Sequence, residues 1–217
     1  MDRLIDYQGR HQGEDCLVLG LGPSIRQIED PRMLDRYWTI GVNDIARIHH
    51  PDYLVLGNPP QMFGDGRWLF VKHCHSNRIF VAHSAYTWNG VAKDFGNDDR
   101  LVKMPVRSGD PDFRNPHIIP CHMVSPYMAA GLAVHMGFKR IGVLGVDMRG
   151  SHFWKDKRES HSLEHQADHI GRWFVRLAKA AKQAGSSIVN CSEDSILKDA
   201  GMETIDWRDL CVRSPES

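Results

Sequence analysis

An apolar run, Cys16 to Leu19, breaks at Gly20-Leu21-Gly22-Pro23-Ser24 and passes into Ile25 and polar sequence. That order predicts a buried strand, a glycine-rich turn and a helix in direct succession. Gly20 and Gly22 let backbone approach a ligand closely, Pro23 suits a first helical turn, and the free N–H groups of such a turn meet an anion. The turn therefore suits phosphate. Its spacing is not that of a dinucleotide fingerprint and it has no P-loop lysine; a tight turn without a ligand would use the same residues.

The 217 residues suit one domain spanning 1–217, long enough to bury a sizeable core. Lys plus Arg and Asp plus Glu each total 27, so no global field draws nucleic acid or anionic membrane, although a local basic groove stays open. No apolar run approaches a membrane span, and Met1-Asp2-Arg3 leads into polar sequence rather than a signal peptide. The five cysteines, at 16, 74, 121, 191 and 211, are odd in number and form no CxxC pair, which fits reduced thiols better than a disulfide frame. A cytoplasmic location is the expectation from these features together.

Along the chain, a helix is expected over Ser24 to Arg36, followed by a strand over Tyr37 to Val42 that ends in Asn43-Asp44. A third strand, Tyr53 to Leu56, ends in Gly57-Asn58-Pro59-Pro60, and a fourth, Arg78 to Ala82, ends in His83-Ser84. From Thr87 to Cys121 the periodicity fades among Gly, Asp, Asn, Pro and Arg, which predicts a lid or acceptor-binding segment over about 87–121. Ser125 to Met136 predicts a helix ending at Gly137, Arg140 to Leu144 a core strand leading to Asp147, and the His-rich stretch after Arg149 a helix through about Ala184. Ser187 to Asn190 and Ser195 to Asp199 predict a last strand and a short helix. Strands alternating with helices define an α/β fold, a Rossmann-like, mostly parallel sheet flanked by helices, with ligands beyond the carboxyl ends of the strands.

Gly20-x-Gly22-Pro23-Ser24, Asn43, Asn58-Pro59, and Ser125-x-Tyr127-Met128 running on to Gly137-Phe138-Lys139 and Gly145-x-Asp147 together carry a resemblance. Over most of residues 15–200 the chain resembles the bacterial lipooligosaccharide sialyltransferases of glycosyltransferase family forty-two. The resemblance implies a glycosyltransferase-A-variant fold with a lid-like insertion. It also implies a CMP-sugar donor, inversion at the anomeric carbon without metal or other cofactor, and a histidine that deprotonates the acceptor hydroxyl. Residue by residue, it assigns Gly20, Gly22, Pro23 and Ser24 to the donor phosphate and ribose, Asn43 and Asn58 to the nucleotide or departing phosphate, Ser125 to the cytosine, and Asp147 to the donor side of the site. His165 matches the catalytic histidine, and Asn190 with Ser195-x-Leu197 a closing motif.

Two departures bear on the chemistry. Leu21 stands where the family has an asparagine, and the two tyrosines that steady the leaving phosphate fall near Arg149 and Lys155. Cations supply charge-assisted hydrogen bonds to a phosphate, so Arg149 and Lys155 are the expected catalytic partners of His165.

His161, His165 and His169 recur every four residues with Glu164 and Asp168 beside them, so in a helix they would share a face. A zinc site is the rival reading, but the stretch contains no HExxH. An imidazole titrating near neutrality and oriented by a carboxylate suits general-base work. The acceptor is a glycan or another hydroxyl; a nucleic-acid hydroxyl stays open because of Arg107 and Arg114, as does a homo-oligomer. Two other readings fit the turn: a pterin diphosphokinase-like or flagellin-modification accessory protein, which the Gly-x-Gly-Pro-Ser turn and the following Pro51-Asp52-Tyr53 resemble and which would use a nucleoside triphosphate with magnesium, and a non-catalytic nucleotide-binding module.

Overall fold

A computed structural model describes residues 2–155 and 163–213; within these, nothing is drawn from the side chains of Ala85 and Tyr86. His161 lies outside the described residues.

Seven strands form one parallel sheet in the order β5-β4-β3-β2-β1-β8-β9. They are β1 (Asp15–Leu19), β2 (Trp38–Val42), β3 (Tyr53–Leu56), β4 (Arg78–Ala82), β5 (Leu101–Met104), β8 (Arg140–Leu144) and β9 (Ser187–Asn190). The remaining two, β6 (Val106–Ser108) and β7 (Ile119–Cys121), pair with each other in parallel. In β1, Val18 lies beside Ile40 on one flank and Val143 on the other. Every residue of β1, β2 and β3 is buried, because helices and loops cover both faces of the sheet; these strands read as apolar runs rather than alternations.

The chain begins in the middle of the sheet, builds outward through β2 to β5, then returns to place β8 on the other side of β1. Of the five α-helices among the described residues, α1 (Arg67–Lys72) and α2 (Ala85–Phe95) belong to the first half, while α3 (Ser125–His135), α4 (Ala167–Gln183) and α5 (Ile196–Asp199) belong to the return. Helix α3 is buried from Ser125 to Val134, which is why it carries Ala129, Ala130, Gly131 and Ala133: small residues let it lie close to the sheet. A side chain at Gly131 would press on Ile119 at 3.1 Å. Helix α4 is amphipathic, with Ile170, Phe174, Leu177 and Ala181 turned inward.

The structure differs from the sequence-based expectation in two elements. Ser24 to Arg36 is not one helix but two 3-10 turns, Pro23–Gln27 and Pro31–Arg36. Pro31 has no N–H to continue a helix and restricts the residue before it, and Asp30 instead caps the second turn by accepting from Arg32 N at 3.0 Å. The stretch 87–121 is not a continuous loop: it holds most of α2 and all of β5, β6 and β7, leaving residues 109–118 as its longest irregular segment.

Beneath the amino ends of the strands, Tyr7, His11, Trp38, Tyr53, Phe80 and Phe138 form an aromatic cluster. His11 stacks on Phe138 and bonds Glu14 through Nδ1 and the Tyr53 hydroxyl through Nε2, each at 2.7 Å.

Candidate active site at the strand-order reversal

Strand β1 sends the chain to one side of the sheet while β8 lies on the other, so the carboxyl ends of β1 and β8 mark the point where strand order reverses. Crevices for ligands in open α/β sheets lie there. A cleft of about 370 Å³ occupies this place. Its walls include Gly22 and Pro23 after β1, Asn43 after β2, Asn58 after β3, Ser125 at the start of α3, and Arg149 after β8. A larger hollow of about 470 Å³ is bounded by Gln27, Cys191, Lys198 and Arg208, and shares none of the residues of this cleft.

The glycine turn is stitched to the loop after β8. Gly20 N donates to Leu144 O at 2.7 Å and Gly22 N to Gly145 O at 2.9 Å. Ser24 N and Ser24 Oγ donate to the two carboxylate oxygens of Asp147 at 2.8 and 2.7 Å, and Ser24 Oγ lies 2.8 Å from Ser192 Oγ. Burial raises the Asp147 carboxyl above its usual pKa, while the Ser24 and Ser192 hydrogen bonds work in the opposite sense. A Cβ at Gly20 would collide with Gly145 O, and one at Gly22 with the Asp147 carboxylate. The glycines thus permit two loops to touch. Gly22 and Pro23 reach the cleft wall, whereas Gly20, Ser24 and Asp147 lie outside the lining, behind it.

Of the four non-glycine residues with positive φ among the described residues, three border this cleft: Asn43 (φ 52°), Met123 (φ 41°) and Met148 (φ 51°). Asparagine tolerates the left-handed region better than most residues; the Asn43 N–H makes the last bond of the β2–β3 ladder to Val55 O at 3.2 Å, and its positive φ then turns the chain off β2. Ser125 Oγ approaches Asn43 Oδ1 at 3.4 Å. Gly57 makes this meeting possible, because a Cβ there would strike Met128 and Ser125.

The remaining expected residues are placed as follows. Arg149 lines the cleft and is bound to Asp194 at 2.7 Å and also to Asp199. Lys155 is not among the lining residues; its carbonyl accepts from Arg26 Nη2 at 2.6 Å. His165 sits in a 3-10 turn, Glu164–Gln166, with Nε2 2.9 Å from Gln166 Nε2, and does not line the cleft, although Leu163 does. His169, in the first turn of α4, accepts from Trp173 Nε1 and lies 3.1 Å from His122 Nε2. The change from 3-10 turn to α-helix between His165 and His169 breaks the shared face expected from their spacing. Among the described residues no group of three or more His, Cys, Asp or Glu is arranged to hold a metal ion.

Two cleft residues escaped the sequence reading. His152 lines the cleft beside Arg149 and stacks on Trp154 at 4.5 Å. Arg67, at the start of α1, lines the opposite wall. It grips the fully buried carboxylate of Asp44 through Nε and Nη2, the latter at 2.6 Å, while Arg47 holds the same carboxylate at 2.8 Å. Trp154 reaches across from the segment after β8, its ring 4.4 Å from the Arg47 guanidinium and 5.3 Å from that of Arg67. The local signs of this assembly are the polar pair Asn43-Asp44 at a strand end and Arg47 three positions on; Arg67 lies twenty-three positions downstream of its carboxylate.

A seven-stranded parallel α/β sheet with a crevice of amides and cations at its reversal is a Rossmann-like, glycosyltransferase-A-type fold. Comparison with solved structures leads to the same class. The chain is similar to the MAf glycosyltransferase of Magnetospirillum magneticum AMB-1 at a TM-score of 0.58 and 16% identity, over 97% of this chain and 38% of that one. It thus spans well under half the length of that protein. It is also similar to the sialyltransferase CST-II in complex with a trisaccharide acceptor and CMP, at a TM-score of 0.57 and 14% identity over 93% and 92% of the two chains. The CstII sialyltransferase of Campylobacter jejuni in complex with cytidine-5'-monophosphate gives 0.55 and 12% over 95% of each. No protein-family model and no curated protein sequence matches the chain. Among the described residues no helix is long and apolar enough to cross a membrane.

Proposed function

We propose that the protein is a sialyltransferase-like glycosyltransferase that moves a sugar from a nucleotide-sugar, a CMP-sugar, to an acceptor hydroxyl, with inversion and without a metal. The observation that carries the reading is the cleft at the strand-order reversal of a fold shared with CMP-bound sialyltransferases. Asn43, Asn58 and the Ser125 end of α3 offer amide, hydroxyl and backbone groups for a base and ribose, and Gly22-Pro23 offers backbone beside a phosphate. Arg67 and Arg149 stand in the described lining and no carboxylate does; this composition favours a phosphate over a cation.

In this reaction the acceptor oxygen attacks the anomeric carbon as the bond from that carbon to the phosphate oxygen breaks. The acceptor proton passes to an imidazole and the phosphate departs with the bonding pair. His165 is assigned the proton, since Leu163, two residues before it, already reaches the cleft. Arg149 is assigned to the departing phosphate, with Lys155 beyond it on the same segment. General-base catalysis contributes ~10²–10⁴-fold, so His165→Ala cuts turnover by that order and leaves donor affinity within a few fold. Release of CMP from a CMP-sugar, followed in the presence of a chelator for the wild type and this variant, tests the assignment. Near-full turnover of His165→Ala removes His165 from the reaction, and loss of wild-type turnover on adding chelator removes the metal-free mechanism.

A further inference from the structure

Asp44 is fully buried and carries one negative charge, yet two guanidinium groups converge on it. One arginine would neutralise it; the second leaves a surplus positive charge at the cleft wall. Arg67 is the one that lines the cleft, with its side chain 19% exposed. Its Nε and Nη2 are turned to Asp44, so the fork is locked by its inner edge, and no described residue takes its Nη1. Trp154 and Phe63 lie against the guanidinium and limit its rotation. A guanidinium anchored on one edge by a carboxylate presents its other edge as a preformed, planar donor pair, the geometry that phosphate oxygens accept.

Resting on the reading of the cleft as a nucleotide site, we propose that Arg67 binds the donor's phosphate there alongside Arg149, and that Asp44, Arg47 and Trp154 are the positioning residues of Arg67. Arg149 is less suited to carry that charge alone, because Asp194 and Asp199 already neutralise it. Arg67 instead keeps a net positive assembly after its own carboxylate is counted. The ligand chemistry is a nucleoside monophosphate or the equivalent part of a nucleotide-sugar.

The test is calorimetric titration of the full chain with CMP and with cytidine, which differ by the phosphate alone. For the wild type, CMP is expected to bind more tightly than cytidine. Arg67→Met is expected to weaken CMP about ten- to a hundred-fold, the range of a lost charge-assisted hydrogen-bond pair, and to leave cytidine within two-fold. Arg67→Lys keeps the charge and a contact with Asp44 but not the fork, so its CMP affinity falls between the two; it also carries the test should the Met variant fail to fold. Unchanged CMP affinity in both variants overturns the role of Arg67 while the nucleotide site stands. Equal loss of CMP and cytidine also overturns it, since the effect would then be on the cleft and not on phosphate. A wild type that binds neither compound overturns the nucleotide reading itself.

Discussion

At the scale of single residues, the cleft is made from backbone geometry as much as from side chains. Asn43 holds a left-handed conformation at the end of β2 while its side chain lines the cleft. Asn43→Gly relieves the backbone and removes the amide, so melting temperature should hold or rise while CMP binding weakens. Unchanged CMP affinity would show that the amide only turns the chain. Gly22 behaves differently from what its motif implies. Its missing side chain makes room for the Asp147 carboxylate rather than for a ligand, so Gly22→Val should lose the Ser24–Asp147 contacts and lower stability by ~1–3 kcal/mol, together with nucleotide binding. Denaturant unfolding of the variant checks this; a stable variant that has lost only binding would return the turn to direct ligand contact. His152 and His165 are separated in the same way. If the cleft-lining imidazole of His152 takes the proton, its alanine variant and not that of His165 will lose ~10²–10⁴-fold in turnover.

Among the elements, legibility followed whether the cause was local. The strands β1, β3, β4, β8 and β9 are apolar runs closed by turn residues, and they stand where the pattern places them. Pro31 broke the expected first helix, a local signal outweighed by the helical look of its flanks. Helix α2 was hidden because Gly90 sits in its middle. That glycine exists for a tertiary reason: a Cβ there would lie 2.9 Å from Pro60 Cδ. Short α1 was likewise unread, and with it Arg67, whose meaning depends on a carboxylate in another loop. The strand-end positions Asn43 and Asn58 were legible because a parallel sheet sends its strand ends to one side, whereas Ser125, at the start of α3, came only from the family resemblance. The segment after β8 also has a tertiary task, since Trp154 bridges to Arg47 and Arg67. Trp154→Ala should cost ~1–2 kcal/mol of stability and weaken CMP more than cytidine, because the guanidinium it steadies loses its fixed orientation. Equal effects on both ligands, or none, would separate Trp154 from the arginine pair.

For the molecule as a whole, the amino side of the sheet holds three histidines whose protonation links stability to pH, and the carboxyl side holds the proposed ligand cleft. Burial lowers the pKa of His11, His49 and His135 below the ordinary 6.5, against the raising effect of Glu14 on His11, of Asp35 on His49 and of the Leu4 carbonyl on His135. These groups bind protons more readily unfolded than folded. Stability is therefore at its plateau above about pH 6.5 and declines as pH falls from there toward the lowered folded values. Thermal melts between pH 7.5 and 5, round figures bracketing ~6.5, should show melting temperature dropping on the acid side. A flat profile would mean that these histidines remain equally basic in the fold. At the opposite end of the sheet lies the cleft where β1 and β8 part. Its most direct measurement is ligand-induced thermal stabilisation against CMP, UMP, GMP and ATP, each with magnesium and with chelator. A ligand at a hundred times its Kd adds about 2.7 kcal/mol, well within reach of a melt. CMP is expected to stabilise most, equally with magnesium and with chelator; stabilisation by ATP with magnesium alone, or by no nucleotide, would rule out a metal-free CMP-sugar site.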